Sequence, residues 1–333
     1  MYKGIKFLDG VKQSTRQNVL NFVKCWNSKD DYIIVNTSGS TGKPKQIKLK
    51  KSQMRASAHA TIQFFNLKPG QTILMALSAE YIAGKMLIIR AIESNMDLLI
   101  APLSTNPLLI NLNTKVHFSA FVPLQVQTIL EHPKSRANYE LIDQVIIGGG
   151  VINQNLERTL KTLKNSNFAT FGMTETISHI ALRNITNGEQ HYTALPQVSF
   201  SINSEHCLLI NAPLISSTKN LETTDIVDLI NETQFIWKGR ADFVINSGGL
   251  KLHPELLEKK IEHLLPKNRF YFSSEVDTYL GQKLILKIEG DSSFNILELE
   301  YKLTQIMPKL EQPKAIHLIT LFKETQTGKI IRT

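Results

Sequence analysis

Short apolar runs alternate with longer amphipathic stretches over the first two-thirds of the chain. The apolar runs are typical of buried strands, and we predict strands at residues 32–35, 72–77, 98–101, 118–122, 144–147 and 167–171. Helical patterns fill several of the intervals, at residues 52–66, 81–94 and 153–163, and Ser52 is the predicted N-cap of the first helix. Alternating strands and helices predict an α/β fold in which mainly parallel sheets are covered by helices.

The pattern changes twice in the last third of the chain. Residues 203–237 contain short strands separated by polar turns, and the residues after them predict strands with helices at 254–265 and 296–307. We therefore expect two domains, a large one over residues 1–239 and a small α+β one over residues 240–333.

Composition and charge narrow the functional classes. Hydrophobic residues make up 42% of the chain and charged residues 20%, as in ordinary globular proteins. Neither a run of ~18 apolar residues nor a signal-peptide core is present, so we expect a cytoplasmic protein without membrane insertion. Cys25 and Cys207 lie far apart and predict free thiols. The net charge of +9 favours anionic ligands. Since the basic residues are scattered, we expect nucleotides rather than nucleic acid.

A segment rich in glycine, hydroxyls and lysine follows the first predicted strand. It reads Thr37-Ser38-Gly39-Ser40-Thr41-Gly42-Lys43-Pro44-Lys45. Its glycines allow the backbone to approach a phosphate closely, and its hydroxyls and lysines supply donors and charge. It is not a Walker loop, because only two residues separate its glycines and Pro44 follows Lys43. A Ser/Gly-rich surface hairpin is the alternative. Pro44 opposes a helix at this point, so we predict another strand at residues 46–49.

Two further glycine-containing segments end predicted strands. Gly148-Gly149-Gly150 follows the strand at 144–147 and suits either close approach to a flat ligand or a simple tight turn. Residues 168–176 read Phe-Ala-Thr-Phe-Gly-Met-Thr-Glu-Thr. There the hydroxyl of Thr174 suits a phosphate and the carboxylate of Glu175 suits a divalent cation.

In this order, the three segments resemble the signature motifs of the acyl-adenylate-forming superfamily, which includes acyl-CoA synthetases, luciferases and adenylation domains of peptide synthetases. The resemblance implies that residues 37–43 hold the ATP phosphates and that Gly148, Gly149 and Gly150 lie along the adenine. It also implies that Thr174 contacts the α-phosphate and that Glu175 binds magnesium. The nucleotide-binding residues expected beside them are Phe171, Gly172 and Met173.

Two positions depart from the pattern of the superfamily. Gln46 stands where glycine is common, which stiffens the exit of the loop without removing a phosphate donor. Phe171 stands where tyrosine is usual, so a hydrogen bond from a phenolic hydroxyl is lost.

The last third extends the resemblance over residues 32–332. Thr223-Thr224-Asp225 resembles the element whose aspartate accepts hydrogen bonds from the ribose, and Arg240 is expected to reach the same sugar. Asp242 matches the hinge about which the small domain rotates between half-reactions. The loop expected to serve the thioester half-reaction contains Gly248, Gly249 and Lys251.

Lys329 belongs to the segment Thr327-Gly328-Lys329, which resembles the closing motif of the superfamily. By that resemblance it is the catalytic lysine, which stabilises charge on the carboxylate and the α-phosphate during adenylation. The alternative is a solvated lysine near the terminus.

The chain is short for the superfamily and is similar in length to the short o-succinylbenzoate–CoA ligases of menaquinone biosynthesis. Residues 77–90 resemble the acid-pocket segment of those ligases. Within this segment Tyr81 stands where many relatives have histidine, and Arg90 matches an arginine in some of them. A dicarboxylate substrate needs a second cation, for which Lys85 and Arg90 are the candidates. The two lie about 140° apart around an ideal helix. Arg90 could instead form a surface salt bridge, and His179 either lines the pocket or packs.

The expected activity is therefore a carboxylate–CoA ligase that uses ATP, Mg²⁺ and coenzyme A, passes through an acyl-AMP intermediate, and releases AMP and pyrophosphate. Another aryl- or acyl-CoA ligase, a ligase serving a carrier protein, and an inactive nucleotide-binding regulator are the alternatives. A homodimer is expected by analogy alone. We expect no nucleic-acid partner.

Overall fold

The computed structural model describes residues 2, 4–36, 46–324 and 330–332. In chain order the strands are β1 Ile5–Phe7, β2 Tyr32–Asn36, β3 Gln46–Lys50, β4 Thr72–Met75, β5 Asp97–Ile100, β6 Val116–Phe121, β7 Ile142–Ile147, β8 Ser166–Gly172, β9 His179–Asn184, β10 Tyr192–Ala194, β11 Ser199–Ile202, β12 Cys207–Asn211, β13 Leu221–Asn231, β14 Gln234–Arg240, β15 Ile245–Ser247, β16 Leu250–Leu252, β17 Phe270–Asp277, β18 Gly281–Glu289 and β19 Ala315–Ile319. The α-helices are α1 Gln13–Trp26, α2 Lys51–Phe64, α3 Ile82–Ser94, α4 Pro123–Leu130, α5 Pro133–Glu140, α6 Gln154–Lys161, α7 Pro254–Ile261 and α8 Ile296–Ile306.

Twelve strands of the described chain form one large sheet, in the order β1-β5-β4-β6-β7-β8-β9-β10-β14-β13-β12-β11. The first six run parallel, and from the β8–β9 pair onward neighbouring strands are antiparallel. Strands β4 to β8 are mostly continuous apolar runs because helices cover both of their faces. The predicted α/β fold is confirmed.

Two hydrophobic cores lie on opposite faces of this sheet. Successive strand side chains point to opposite faces, so Ile73 contributes to one core and Leu74 to the other. Helices α1, α2 and α3 supply residues to the first core, and α4, α5 and α6 supply the second. In the described part of the chain, none of the helices has the length and apolarity needed to cross a membrane.

Strand β2 lies apart from the parallel sheet to which its apolar sequence assigned it. Its described partner is β3, in a two-stranded antiparallel sheet that confirms the strand predicted at residues 46–49. Only one face of this pair packs on the core, so Ile34 remains 50% exposed whereas Ile33 is buried. The segment 37–45 therefore joins two antiparallel strands.

The start of α2 corrects the predicted N-cap. The helix begins at Lys51, after Lys50, and Ser52 lies within it. The buried Lys51 ammonium donates hydrogen bonds to the backbone oxygens of Cys25 and Ser28, both at 2.9 Å. Carbonyls at the C-terminal end of a helix carry partial negative charge, so this ammonium stabilises the end of α1.

A second sheet has the order β16-β15-β18-β17, with β19 parallel to β18. Its core joins Leu257 of α7 and Leu303 of α8 to Phe272 and Leu286 of the sheet. The large sheet includes residues up to Arg240 and the second sheet starts at Ile245. The domain boundary at residues 239 and 240 stays a prediction.

Replacing Lys51 with alanine should lower the free energy of unfolding by about 1–3 kcal/mol, because two carbonyls at the end of α1 lose a charged donor. Urea denaturation measures this. The exposed neighbour Lys50 is the matched control, and Lys50→Ala should change the value by less than about 0.5 kcal/mol. Equal effects of the two substitutions would contradict the capping role.

Candidate functional site

The loops that follow β4, β7 and β8 emerge at one edge of the large sheet, because parallel strands all end at the same side. Gly148 lies just after β7, and its N–H donates to the carbonyl of Phe121 at 3.2 Å. A Cβ at Gly148 would lie 2.1 Å from Thr170 Oγ1 of β8. The glycine segment is therefore pressed against the strand that carries the next candidate residues.

Beyond β8, the chain reverses through a short 3₁₀ turn, Thr174–Thr176, and then Ile177. Ile177 has φ +65 and ψ −54, which is strained for a β-branched residue and costs about 1–3 kcal/mol. The buried Thr176 hydroxyl accepts from the Met173 N–H at 2.9 Å and contacts the Ser178 carbonyl at 2.9 Å. These contacts hold the strained turn.

This turn presents Thr174 and Glu175 to solvent. Both side chains are exposed, and no hydrogen bond or ion pair within the described chain engages either one. The described residues contain no cluster of three or more His, Cys, Asp or Glu that could hold a metal alone. A lone free carboxylate suits Mg²⁺, which commonly takes one or two protein carboxylates and completes its shell with phosphate oxygens and water. Glu175 fits that requirement.

Gly172 packs directly beneath the turn. A Cβ there would lie 2.5 Å from the Ser178 carbonyl oxygen and 2.7 Å from the Cα of His179. Both are backbone atoms of the opposite arm, so the space is closed to any larger residue.

An aromatic group lies beside Phe171. Tyr192 and Phe235 stack on each other, and Phe171 contacts them at centroid distances of 5.7 Å and 5.0 Å. Tyr192 was not among the residues expected from the sequence, because it is an isolated tyrosine in a short strand. Burial raises the pKa of its phenol, so it stays a neutral hydroxyl next to the ring of Phe171.

Asp225 lies on β13, directly across from Arg240 on β14. The Trp237 indole donates to Asp225 Oδ1 at 2.8 Å. Burial raises the pKa of the Asp225 carboxyl, against the opposing effects of the Trp237 hydrogen bond and the Arg240 charge. The Arg240 guanidinium pairs with Asp242, which also accepts from the Thr224 hydroxyl. The two expected ribose residues and the expected hinge residue are thus neighbours.

The four expected acid-pocket residues separate into different environments. Tyr81 precedes α3 and is 57% exposed. Lys85 is buried, and its ammonium donates to the carbonyls of Ala79 at 2.7 Å and Glu80 at 2.6 Å. Burial lowers the pKa of Lys85. Its donors are used to close the loop before α3.

Arg90 is the largest fully buried side chain of the described chain, at 1% exposed. The surface salt bridge considered for it is therefore wrong. Its Nη2 donates to Ser178 Oγ at 3.0 Å, while its Nε has no partner among the described residues. Burial lowers the pKa of Arg90 to about 9. A buried guanidinium without a carboxylate is costly, and here one of its donors is left open.

His179 is buried beside this guanidinium. Its Nε2 lies 3.2 Å from Thr61 Oγ1, and its Nδ1 lies 3.2 Å from Ser178 Oγ. Burial, together with the positive charge of Arg90, holds its pKa well below the usual range. A neutral imidazole therefore supports Ser178, which in turn contacts Arg90.

The expected thioester loop is a two-residue hairpin turn. Gly248 and Gly249, with φ of +58 and +83, connect β15 to β16, and Lys251 follows on the second strand. Two consecutive residues with positive φ form the type I′ connection that favours glycine. The Gly248 N–H donates to the Leu280 carbonyl at 2.9 Å. The turn alone therefore explains both glycines, and the thioester role stays a prediction.

The expected catalytic lysine and phosphate loop lie outside the described residues. These are Thr37, Ser38, Gly39, Ser40, Thr41, Gly42, Lys43 and Lys329. Of the residues that flank 325–329, Glu324 and Ile330 form an antiparallel bridge. Arg332 donates to both carboxylate oxygens of Glu258 on α7, at 2.7 Å each. The two flanks of the segment are thereby joined to each other, and the later flank is attached to α7.

Comparison with known proteins places the chain in a family. Residues 4–211 match the family model described as AMP-binding enzyme. A solved acyl-CoA synthetase (AMP-forming)/AMP-acid ligase II-like protein from Dyadobacter fermentans is 31% identical, with a TM-score of 0.68, and the alignment covers 96% of this chain and 93% of that one.

Two more relatives carry specific names. The 2-succinylbenzoate–CoA ligase of Lactococcus lactis is 23% identical over 319 residues, covering 90% of this chain and 69% of that protein. The o-succinylbenzoate coenzyme A synthetase of Bacillus subtilis, solved in complex with ATP and magnesium ion, has a TM-score of 0.76 at 19% identity. It aligns with 90% of this chain and 68% of its own, and at this identity it shows the fold alone.

Gly172→Ala should disrupt the site, because the new methyl group meets backbone atoms and must push β8 and β9 apart. We expect ATP binding measured by calorimetry to weaken at least about tenfold, with a fall in melting temperature. Gly290→Ala is the matched control, since it lies outside the expected nucleotide site and the nearest atom to its Cβ would be Asn268 Nδ2 at 3.7 Å. Unchanged ATP binding by the Gly172 variant would show that this packing does not shape the site.

Proposed function

Because the chain belongs to the AMP-binding enzyme family, we propose that it is an ATP-dependent ligase that converts o-succinylbenzoate to o-succinylbenzoyl-CoA through an acyl-AMP intermediate. The 2-succinylbenzoate–CoA ligase of Lactococcus lactis, similar over 90% of this chain, supports the substrate. The cosubstrates are ATP and coenzyme A, and the products include AMP and pyrophosphate. A cytoplasmic location gives access to both cosubstrates. A homodimer is proposed by analogy.

The first half-reaction must bring together two anions, the carboxylate and the triphosphate. A carboxylate is a poor acyl donor because its leaving group would be oxide, and a mixed anhydride with AMP removes this problem. The Thr174 hydroxyl and residues 37–43 would hold the phosphates, while Lys329 would stabilise charge at the reacting oxygens. Glu175 would hold Mg²⁺, which would neutralise phosphate charge when bound.

The environment of Arg90 is the observation that supports a dicarboxylate as the substrate. Its guanidinium is fully buried, and within the described chain it has no acidic partner and an open Nε donor. A second substrate carboxylate would supply the missing negative charge and accept from the free donor. Benzoate and simple fatty acids cannot both form the adenylate and pair with Arg90, because their one carboxylate is consumed in adenylation.

The neighbours of Arg90 link it to the adenylation site. Ser178, which accepts from Arg90, follows the turn that presents Thr174 and Glu175. His179 is neutral because its pKa is depressed, so it adds no competing positive charge. Lys85 already donates to two backbone carbonyls, and we therefore assign the remote carboxylate to Arg90 rather than to Lys85.

An assay of pyrophosphate release tests the assignment of the remote carboxylate to Arg90. Each reaction contains ATP and magnesium, and the acid is o-succinylbenzoate, benzoate, a medium-chain fatty acid or none. Every reaction is run with and without coenzyme A. The wild type should prefer o-succinylbenzoate, and Arg90→Met should lose about 100-fold in kcat/KM for that acid because the remote carboxylate loses its charged partner. Arg90→Lys is the charge-retaining comparison. Circular dichroism checks the fold of both variants.

The other outcomes separate the rival activities. Release with a different acid would keep the ligase and reject the dicarboxylate substrate. Adenylate formation without a coenzyme A thioester would indicate another acceptor, such as a carrier protein. A protein that binds ATP but releases no pyrophosphate with any acid would be the inactive nucleotide-binding regulator.

Lys329→Ala should abolish adenylation but spare thioester formation from supplied acyl-AMP, because the small domain is proposed to rotate about Asp242 and carry Lys329 away between half-reactions. Separate assays of the two half-reactions measure this. The exposed Lys323 is the control, and Lys323→Ala should retain both. Equal loss of both half-reactions in Lys329→Ala would reject the assignment.

A further inference from the structure

Trp237 reaches Asp225 through an irregularity of β14. Asp225 pairs with Arg240 and Ile226 with Gly239, but Val227 pairs with Trp237, so the register shifts and Lys238 is an extra residue. In a regular ladder Trp237 would pair with Asp228 and point to the face opposite to that of Asp225, because side chains alternate along a strand. The bulge turns Trp237 onto the face of Val227 and Asp225.

Two local features are consistent with the bulge, an ion pair of Lys238 and the backbone conformation of Gly239. The extra residue Lys238 forms an ion pair with Asp228, on the other face of the sheet. Gly239 has φ +142, which side-chain-bearing residues rarely adopt, and a Cβ there would lie 2.7 Å from Glu255 Oε2. The backbone conformation that orients the Trp237 side chain therefore depends on the glycine at position 239.

The bulge leaves the Asp225 carboxylate held at one oxygen. Its Oδ1 accepts from the indole at 2.8 Å, and its own backbone N–H donates to the Thr223 hydroxyl at 3.0 Å. No hydrogen bond in the described part of the chain engages Oδ2. An indole N–H is a donor only and does not titrate, so it fixes the carboxylate rotamer while lone pairs stay available on both oxygens.

We propose that Trp237 is a positioning residue for ribose recognition, because its indole holds the Asp225 carboxylate in the orientation that accepts the two ribose hydroxyls of ATP. This rests on the proposed function, in which Asp225 binds the ribose. The predicted consequence is specific. Trp237 should control discrimination between ATP and nucleotides that lack a ribose hydroxyl, rather than affinity for the triphosphate.

Calorimetry tests the positioning role of Trp237. It measures the binding of ATP, 2′-deoxyATP and 3′-deoxyATP to wild type and to Trp237→Phe, with magnesium and without acid or coenzyme A. The variant should bind ATP about tenfold more weakly and the deoxynucleotides almost unchanged, so discrimination should shrink by the same factor. Trp26→Phe is the matched control. It also removes a tryptophan, one that is buried, belongs to α1 and lies far from Asp225 in the chain.

The pH dependence gives a second readout that a purely structural role would not move. Burial already raises the pKa of Asp225, and loss of the indole donor removes one of the effects that lower it. The charged and titratable groups around it are Arg240, Asp242, Tyr192 and Cys207. A protonated carboxyl accepts less well from the ribose. The acid-side loss of ATP affinity should therefore begin at a higher pH in Trp237→Phe than in wild type.

A measurement on otherwise native protein covers the case in which the variant fails to fold. The chain has two tryptophans, so Trp26→Phe leaves the Trp237 indole N–H as the single indole resonance in ¹⁵N–¹H spectra. ATP should shift that resonance more than either deoxynucleotide does.

Three results would overturn the inference. Equal weakening of all three nucleotides in Trp237→Phe would mean that the indole only supports the fold. A wild type that binds ATP without discriminating against deoxynucleotides would remove the ribose role while leaving the ligase activity intact. A wild type that binds no nucleotide would reject the proposed function itself.

Discussion

One buried hydroxyl, that of Thr176, holds the turn between β8 and β9, and the geometry of the site depends on that turn. There the sheet changes from parallel to antiparallel pairing. The strained Ile177 reverses the chain so tightly that only glycine fits at position 172. On the solvent side the turn presents a hydroxyl and a carboxylate, and on the inner side it brings Ser178 to Arg90. The expected phosphate contacts and the expected acid pocket are thus two sides of one short segment.

The two candidate cations of α3 show how burial decides chemical availability. An ammonium can be satisfied by a pair of carbonyls, and Lys85 finds them in its own loop. A guanidinium has five donors in a fixed fork, and a single serine cannot satisfy them. Arg90 therefore keeps binding capacity in the interior of the protein. Helical periodicity placed the two residues on different sides of α3 but could not tell which one carried the unsatisfied charge.

The sequence was most informative where both faces of an element are buried. The apolar runs of β4 to β8 were recognised because parallel strands between helix layers need little else. Helix α5 was missed because it buries Ser135 and Asn138 besides Tyr139 and so lacks an apolar stripe. Strand β2 was assigned to the wrong sheet because its apolar run gave no sign of one exposed face. In the site, glycines and acidic residues stood out locally. Lys51, Tyr192 and Trp237 did not, because their roles depend on partners distant in the chain or on a register shift.

The strand order of the large sheet has a consequence for synthesis of the chain. Strands β4, β6, β7 and β8 are neighbours in the sheet in nearly the order in which a ribosome makes them, so this half can pair as it emerges. Strands β13 and β14 carry Asp225 and Trp237 and join beside β10 much later. By the proposed roles, a nascent chain that ends before residue 240 has the turn expected to contact phosphate but lacks the complete strand pair expected to bind the ribose. Nucleotide could stabilise the growing protein only after that strand pair has closed.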